Sequence, residues 1–392
     1  MRVLLAPGGM HPQPHGVPLT ELGLGAGAVA EALARGWARS RPGDGLRLLP
    51  LPDGGAGGAA ELPAGTVAAR LDLRGTGPTG QERGARLVRL GPGCDAPGTW
   101  FLDAAALCPV PADPDQARRE AEEGSTAGIG QVLGAALEVV GPDEELVVGM
   151  ARTAVHDGGA GLIEALGGSG PAVRALRGRR LVLALADTSP LGGLSGAGRA
   201  LAELADLGPE TAQEVDRRAC ARATGLSTDL ASRVERAGQG ERVPRVGLAA
   251  AAPVPTVTAW GTGAGGGCAL VLRALGARAL PGARVMAALL GLEGALGDRD
   301  LVLTSAGEAF DVLEDCVPQV VGRAAGALAL PAVLVAGRAG VPRGELAAAG
   351  LCASYGLEDS RAAAPAWDSG GAGAVAARLE AIGERLARTW SR

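Results

Sequence analysis

Apolar and polar positions follow a repeating order along the chain. Val3-Leu4-Leu5-Ala6 is an apolar run closed by Pro7-Gly8, and Ala26–Arg39 (AGAVAEALARGWAR) spaces its apolar residues for a helix. Leu46–Leu51 is a second apolar run, closed by Pro52-Asp53-Gly54-Gly55. Between Arg70 and Leu102 the pattern changes to short alternating segments, which predict a hairpin or small mixed sheet and a domain boundary near Leu71. Pro109–Glu123 reads as a polar loop leading into a helix, followed by a helix at Gly128–Val140 and a strand at Leu146–Gly149. A further strand is expected at Leu181–Ala186 and Arg-rich helix over 195–250, with a break at Pro253-Val254-Pro255 and at 261–267. Strands at Leu301–Thr304 and Ala332–Ala336 and an amphipathic helix at Ala374–Trp390 complete the pattern. Strand and helix keep alternating, so the expected class is α/β with largely parallel sheets.

At 392 residues two domains are the default expectation. Hydrophobic residues make up 47% but aromatics only 2%, so the core must be Ala, Val and Leu, and base-stacking on rings is not expected. A net charge of −5 gives no basic field for a nucleic-acid backbone. The chain has no Lys and no Asn, so Arg carries the permanent positive charge. Six cysteines are scattered without a CxxC pair, which argues for reduced, mostly buried thiols and against a zinc site. No signal-peptide layout follows Met1 and no charge-free apolar stretch approaches about 18 residues, so no membrane partner and a cytoplasmic location are expected.

The chemistry concentrates where apolar runs end. Asp53, Asp157, Asp187 and Asp311 each sit in a loop after a strand, the place where parallel α/β sheets bind ligands. The segment at 146–168, LVVGMARTAVHDGGAGLIEALGG, passes from strand through Asp157-Gly158-Gly159 into a helix. Unpaired N–H groups there suit an anion, and the carboxylate suits Mg²⁺ or a substrate hydroxyl; an Asx-turn or N-cap is the alternative reading of each such Asp. Gly261–Gly267 (GTGAGGG) reads as a phosphate cradle or a flexible loop, without the P-loop Lys-Ser/Thr. His156 is either a general base or a partly exposed turn residue. No GxSxG elbow supports a hydrolase.

Taken in order, several stretches resemble the type I glycerate kinase family. They are LLPLPDGGAGG at 48–58, GTGPTG at 75–80, STAGIGQVL at 125–133, VVGMARTAVHDGGAGLIEALG at 147–167, ADTSPLGGLSGAG at 186–198, GTGAGGGCALVLRALGARALPGA at 261–283 and DLVLTSAGEAFD at 300–311. The resemblance implies two α/β domains: a discontinuous flavodoxin-like (Rossmann-type) domain from 1–71 plus 298–392, and an inserted domain with a mixed sheet over 72–297. It implies transfer of the ATP γ-phosphoryl group to glycerate with Mg²⁺. Asp157, Asp311 and Asp53 would be catalytic, and Arg152, Thr153, His156, Gly158, Gly159, Asp187 and Glu308 would bind substrate or phosphate. Gly263, Gly265, Gly266 and Gly267 would form the nucleotide loop, with Asp187 and Asp311 holding Mg²⁺. A homodimer is left open.

The chain departs from the family pattern at charged positions. Asp-Ser-Phe-Lys-Gly after the first strand is Gly8-Gly9-Met10-His11 here, Gly-Gly-Ser is Ala151-Arg152-Thr153, and the Asn before Asp157 is His156. The family's GEGRxDxQ with its following Gly-Lys is replaced by Gly-Glu-Ala-Phe-Asp at 307–311, then Val312-Leu313 and Val317-Pro318. These changes keep two further readings open: a binding or regulatory module without phosphoryl transfer, and a kinase for another small hydroxy acid.

Overall fold

Val3, Leu4 and Leu5 have no solvent-exposed surface, as expected for a strand covered on both faces of a parallel sheet. A computed structural model of the chain describes residues 1–239, 254–358 and 366–391. The strands among the described residues are β1 (Arg2–Leu5), β2 (Gly45–Leu48), β3 (Val67–Thr76), β4 (Glu82–Leu90), β5 (Trp100–Leu102), β6 (Glu145–Met150), β7 (Arg180–Leu185), β8 (Arg278–Pro281), β9 (Leu301–Ala309), β10 (Ala332–Ala339) and β11 (Ala353–Gly356). They form two sheets, one parallel and one mixed, in an α/β fold.

The chain divides into two compact units. The first comprises Met1–Ala69, Arg89–Pro97 and Pro281–Arg392, and the second Arg70–Val88 and Gly98–Leu280. Arg89–Pro97 therefore groups with the first unit, where Gly91 N–H donates to Thr66 O (2.8 Å) and Asp95 N–H to Leu289 O (3.2 Å). Strand continuity hides this exchange from a composition-based boundary, because β3 and β4 each run through a crossing point.

In the first unit the order is β11-β10-β9-β1-β2, with Val3 opposite both Leu46 and Leu301. Counted within the unit, this is the flavodoxin-like order, whose direction of winding reverses between β1 and β9. The helices Ala26–Ser40 and Gly371–Trp390 cover this sheet with Val29, Leu33, Trp37, Val375, Leu379 and Leu386. β11 is not evident in the sequence, because its four residues are only half-buried and give no apolar run.

In the second unit the order is β3-β4-β5-β6-β7-β8, and β5, β6 and β7 are mutually parallel. Leu146, Val148, Leu181 and Leu183 pack against Ile129, Val132 and Leu133 of the helix Ala127–Val139 and Val271 and Leu272 of the helix Cys268–Ala274. The expected Arg-rich helical region contains helices Ala197–Leu204 and Pro209–Gln239; residues 240–250 and Pro253 lie outside the described residues. Among the described residues no helix is long and apolar enough to cross a membrane. The cysteines are all free: Cys94, Cys108 and Cys268 are buried, Cys220 and Cys316 half-buried, and Cys352 exposed.

Candidate functional site

The loop leaving β6 begins the second unit's site. Gly158 and Gly159 both have positive φ (71° and 77°), so the chain reverses there before the short helix Ala160–Ala165. The reversal lets the backbone close on a second glycine turn. Gly158 N–H donates to Gly266 O at 2.9 Å, and Gly265 N–H to Ala151 O at 2.8 Å. A methyl group on Gly266 would stand 2.4 Å from Val155 O, and one on Gly267 would stand 2.7 Å from Gly158 Cα. Gly158 and Gly159 thus pack on the second glycine turn, whereas Gly161 packs against Ser125 and Ala127.

Of the glycines expected to form the nucleotide loop, Gly263 and Gly265 donate to backbone carbonyls of this unit, and Gly266 and Gly267 pack against Val155 and Gly158. The whole 261–267 stretch is buried. Gly261 N–H donates to Thr188 O (2.7 Å) and Gly263 N–H to Ser189 O (3.0 Å), so the run braces the loops after β6 and β7 instead of presenting these donors to phosphate. Buried Thr262 completes the brace: its hydroxyl donates to Ala259 O (2.7 Å) and accepts from Leu191 N–H (3.0 Å).

Asp157 is buried and its carboxylate is engaged on both oxygens. Oδ1 accepts from Gly159 N–H (2.9 Å), and Oδ2 from Thr126 N–H (2.9 Å) and Gly161 N–H (3.0 Å). The Thr126 hydroxyl reaches Oδ2 at 2.9 Å and itself accepts from Leu162 N–H at 3.1 Å. Asp157, expected to accept a proton, joins the starts of two helices, whose first N–H groups lack partners within the helix. Thr126 was missed as a functional residue. Its position before an apolar helical run marks an N-cap in sequence, whereas in the fold its hydroxyl serves a carboxylate 31 residues away.

Arg152 and Asp187 meet side-on at the ends of β6 and β7. Arg152 Nε lies 3.0 Å from Asp187 Oδ2 and Nη2 lies 2.8 Å from Oδ1, while Nη2 also donates to Ser189 Oγ. Ser189 N–H returns to Asp187 Oδ1 at 3.0 Å, the Asx-turn considered above. Burial opposes the charge on Arg152, but the hydrogen bonds and charge of Asp187 outweigh it and raise the guanidinium pKa. Thr153 Oγ1 accepts from Val155 N–H (3.1 Å). His156 is buried, not a partly exposed turn residue, and its Nε2 lies 3.2 Å from Oδ1 of Asp216 on the Pro209–Gln239 helix.

The other expected acids belong to the first unit. Asp53 is exposed after β2, with Oδ1 accepting from Gly55 N–H (2.9 Å); Asp311 is exposed after β9, with Oδ1 accepting from Leu313 N–H (2.8 Å). Glu308 lies within β9, half-buried and in register with Arg338 of β10, which pairs with Glu358 at 2.8 Å. At the winding reversal between β1 and β9, Ser305 Oγ donates to Gly8 O (2.8 Å), and a methyl group on Gly307 would stand 2.2 Å from His11 O. The substituted 8–11 segment therefore packs on β9.

Among the described residues no cluster of three or more His, Cys, Asp or Glu side chains is arranged to hold a metal. Asp187 does not fit a Mg²⁺ ligand as it stands, because the guanidinium occupies both of its oxygens and a hard cation binds directly to such oxygens.

A parallel flavodoxin-like sheet and a mixed sheet, with loops carrying acids and glycines at strand ends, define a two-unit α/β protein. The chain belongs to the glycerate kinase family, whose profile, described as the Glycerate kinase family, matches residues 22–173 and 171–391. Uncharacterized proteins of Mycobacterium bovis and Mycobacterium tuberculosis are each 31% identical over 343 residues, covering 86% of this chain and 81% of each relative. The glycerate kinase of Bacillus subtilis is 37% identical over 145 residues, which is 37% of this chain and 36% of that enzyme. In fold the chain is similar to a crystal structure of putative glycerate kinase 2 from Salmonella typhimurium (TM-score 0.66, 23% identity), covering 99% of this chain and 98% of that one.

Proposed function

We propose that this protein is a glycerate kinase-type phosphotransferase that moves the γ-phosphoryl group of ATP to a hydroxyl of glycerate. Family membership across both units carries the reading. In this reading the proton acceptor is one of the carboxylates that keeps a free oxygen. Asp53 and Asp311 qualify, since each is exposed and uses only Oδ1 in its own turn. Asp157 and Asp187 serve the loops instead. Mg²⁺ would be supplied with the nucleotide, since this ion is commonly held through substrate phosphates. It would neutralise charge on the transferring group, while Arg replaces the missing lysines.

One observation favours the second reading, a binding module without transfer. Two buried acids at the strand ends of the second unit are engaged within the protein, Asp157 by backbone donors and the Thr126 hydroxyl and Asp187 by Arg152. The two readings separate in an assay of ATP consumption with Mg²⁺ and D-glycerate, repeated with other small hydroxy acids and with Asp53→Asn and Asp311→Asn. Acid-dependent turnover that falls at least about 100-fold in one variant supports the kinase. Background consumption with every acid leaves the binding module, and turnover unchanged in both variants removes these aspartates from the chemistry.

A further inference from the structure

Arg152 is held by one edge only. Nε and Nη2 face Asp187, and Nη2 also reaches Ser189 Oγ, whereas Nη1 has no hydrogen-bond partner among the described residues. A guanidinium is planar, so side-on pairing through Nε and Nη2 turns the Nη1 amino group away from the carboxylate. The side chain keeps 15% of its surface exposed and Asp187 keeps 8%, so the pair is largely desolvated but not sealed. The loop behind it is stiffened independently by the Gly265 N–H to Ala151 O bond, one residue before Arg152, and by the Gly263 N–H to Ser189 O bond. Arginine is an apt residue for this duty, since its fork can hold one partner while offering further donors to a second.

We infer that Arg152 is the oxyanion receptor of the second unit, standing at Asp187 in the charge role that Mg²⁺ would otherwise take, and offering Nη1 to a carboxylate or phosphoryl oxygen. This deepens the proposed function and rests on its small-acid and nucleotide ligands. Anion capture at this point is therefore independent of divalent cations, even though phosphoryl transfer itself uses Mg²⁺. Asp187 is a positioning residue that orients the guanidinium.

The test is calorimetric titration of the full chain with inorganic phosphate and, separately, with D-glycerate, each in EDTA and in Mg²⁺. Wild type, Arg152→Lys and Asp187→Asn are compared after thermal unfolding has checked their fold. Wild type is expected to bind at least one probe with the same affinity in EDTA and Mg²⁺. Arg152→Lys is expected to weaken binding about 10-fold, because lysine lacks the fork. Asp187→Asn is expected to retain or tighten binding, since it removes the competing negative charge while its amide oxygen still accepts from the guanidinium. Should Arg152→Lys not fold, Asp187→Asn decides the matter alone.

Phosphate binding alone identifies a phosphoryl group as the anion, and glycerate binding alone identifies the acid. The inference is overturned if neither probe binds wild type, if binding needs Mg²⁺, if it is lost in a folded Asp187→Asn, or if Arg152→Lys titrates like wild type. Arg152-dependent binding without ATP turnover would defeat the kinase reading and leave this one standing. Mg²⁺-dependent binding in an active kinase would do the reverse.

Discussion

Replacing Asp157 by alanine is expected to act on stability before it acts on catalysis. The carboxylate accepts from the N–H groups of Thr126, Gly159 and Gly161 and from the Thr126 hydroxyl, all in a buried setting. Alanine leaves three amide donors without an acceptor. A buried unsatisfied donor costs about 1–3 kcal/mol, and partial relaxation or entry of water favours the lower end, so the expected loss is about 3–5 kcal/mol. With about 2–4 °C per kcal/mol for a unit of 150–250 residues, the melting temperature falls by roughly 10 °C. Asparagine keeps one acceptor oxygen and turns an amino group toward amide donors, so it should recover only part of the loss. Urea unfolding of wild type and both variants, followed by far-ultraviolet circular dichroism, measures the effect. A loss below about 1 kcal/mol for Asp157→Ala, with or without loss of turnover, would refute the anchor assignment.

Two further expectations follow from the same geometry. Gly158→Ala puts a methyl group 2.4 Å from Ala219 O at a φ of 71°, whereas Gly276→Ala at a φ of 98° meets nothing within 4 Å. The first should therefore cost about 3 kcal/mol in urea unfolding and the second only about 1–2 kcal/mol, and equal losses would show that conformational strain alone governs both sites. Burial, with the Asp216 charge added, pushes the Cys220 thiol up to about 11, and burial pushes Cys108 up to about 12. The reactive thiolate of Cys220 is then about one part in a thousand at pH 8 and grows as pH rises toward 11. Iodoacetamide followed by peptide mass spectrometry should label exposed Cys352 first, and rapid labelling of Cys108 at pH 8 would contradict its burial.

Much of the scaffold was legible because its signals are local. The apolar runs at 146–149 and 181–186 announced β6 and β7, and helical spacing announced Ala26–Ser40 and Ala127–Val139. The short edge strand β8 gave no such signal, since its positions alternate between exposed and half-buried. At the site, residue types could be read but partners could not. Asp157-Gly158-Gly159 looks like ligand chemistry until Thr126 and Gly266 are placed beside it, and neither is near in sequence. His156 likewise acquires its meaning from Asp216, and Arg152 from Asp187 and Ser189. The glycine run at 261–267 admits two readings for a related reason: glycine permits close approach without specifying whether a ligand or another backbone will approach.

The interlocked glycine turns also bear on when the site comes into being. The bond from Gly158 to Gly266 O closes a loop of more than a hundred residues, and contacts of such separation carry an ordering cost that local helices do not. During synthesis the first turn must wait, with its acid and glycines already made, until the second has emerged from the ribosome and found its place. The braced turn is thus a property of the finished chain, and an interrupted product ending before residue 261 would hold the Asp157 turn without its brace.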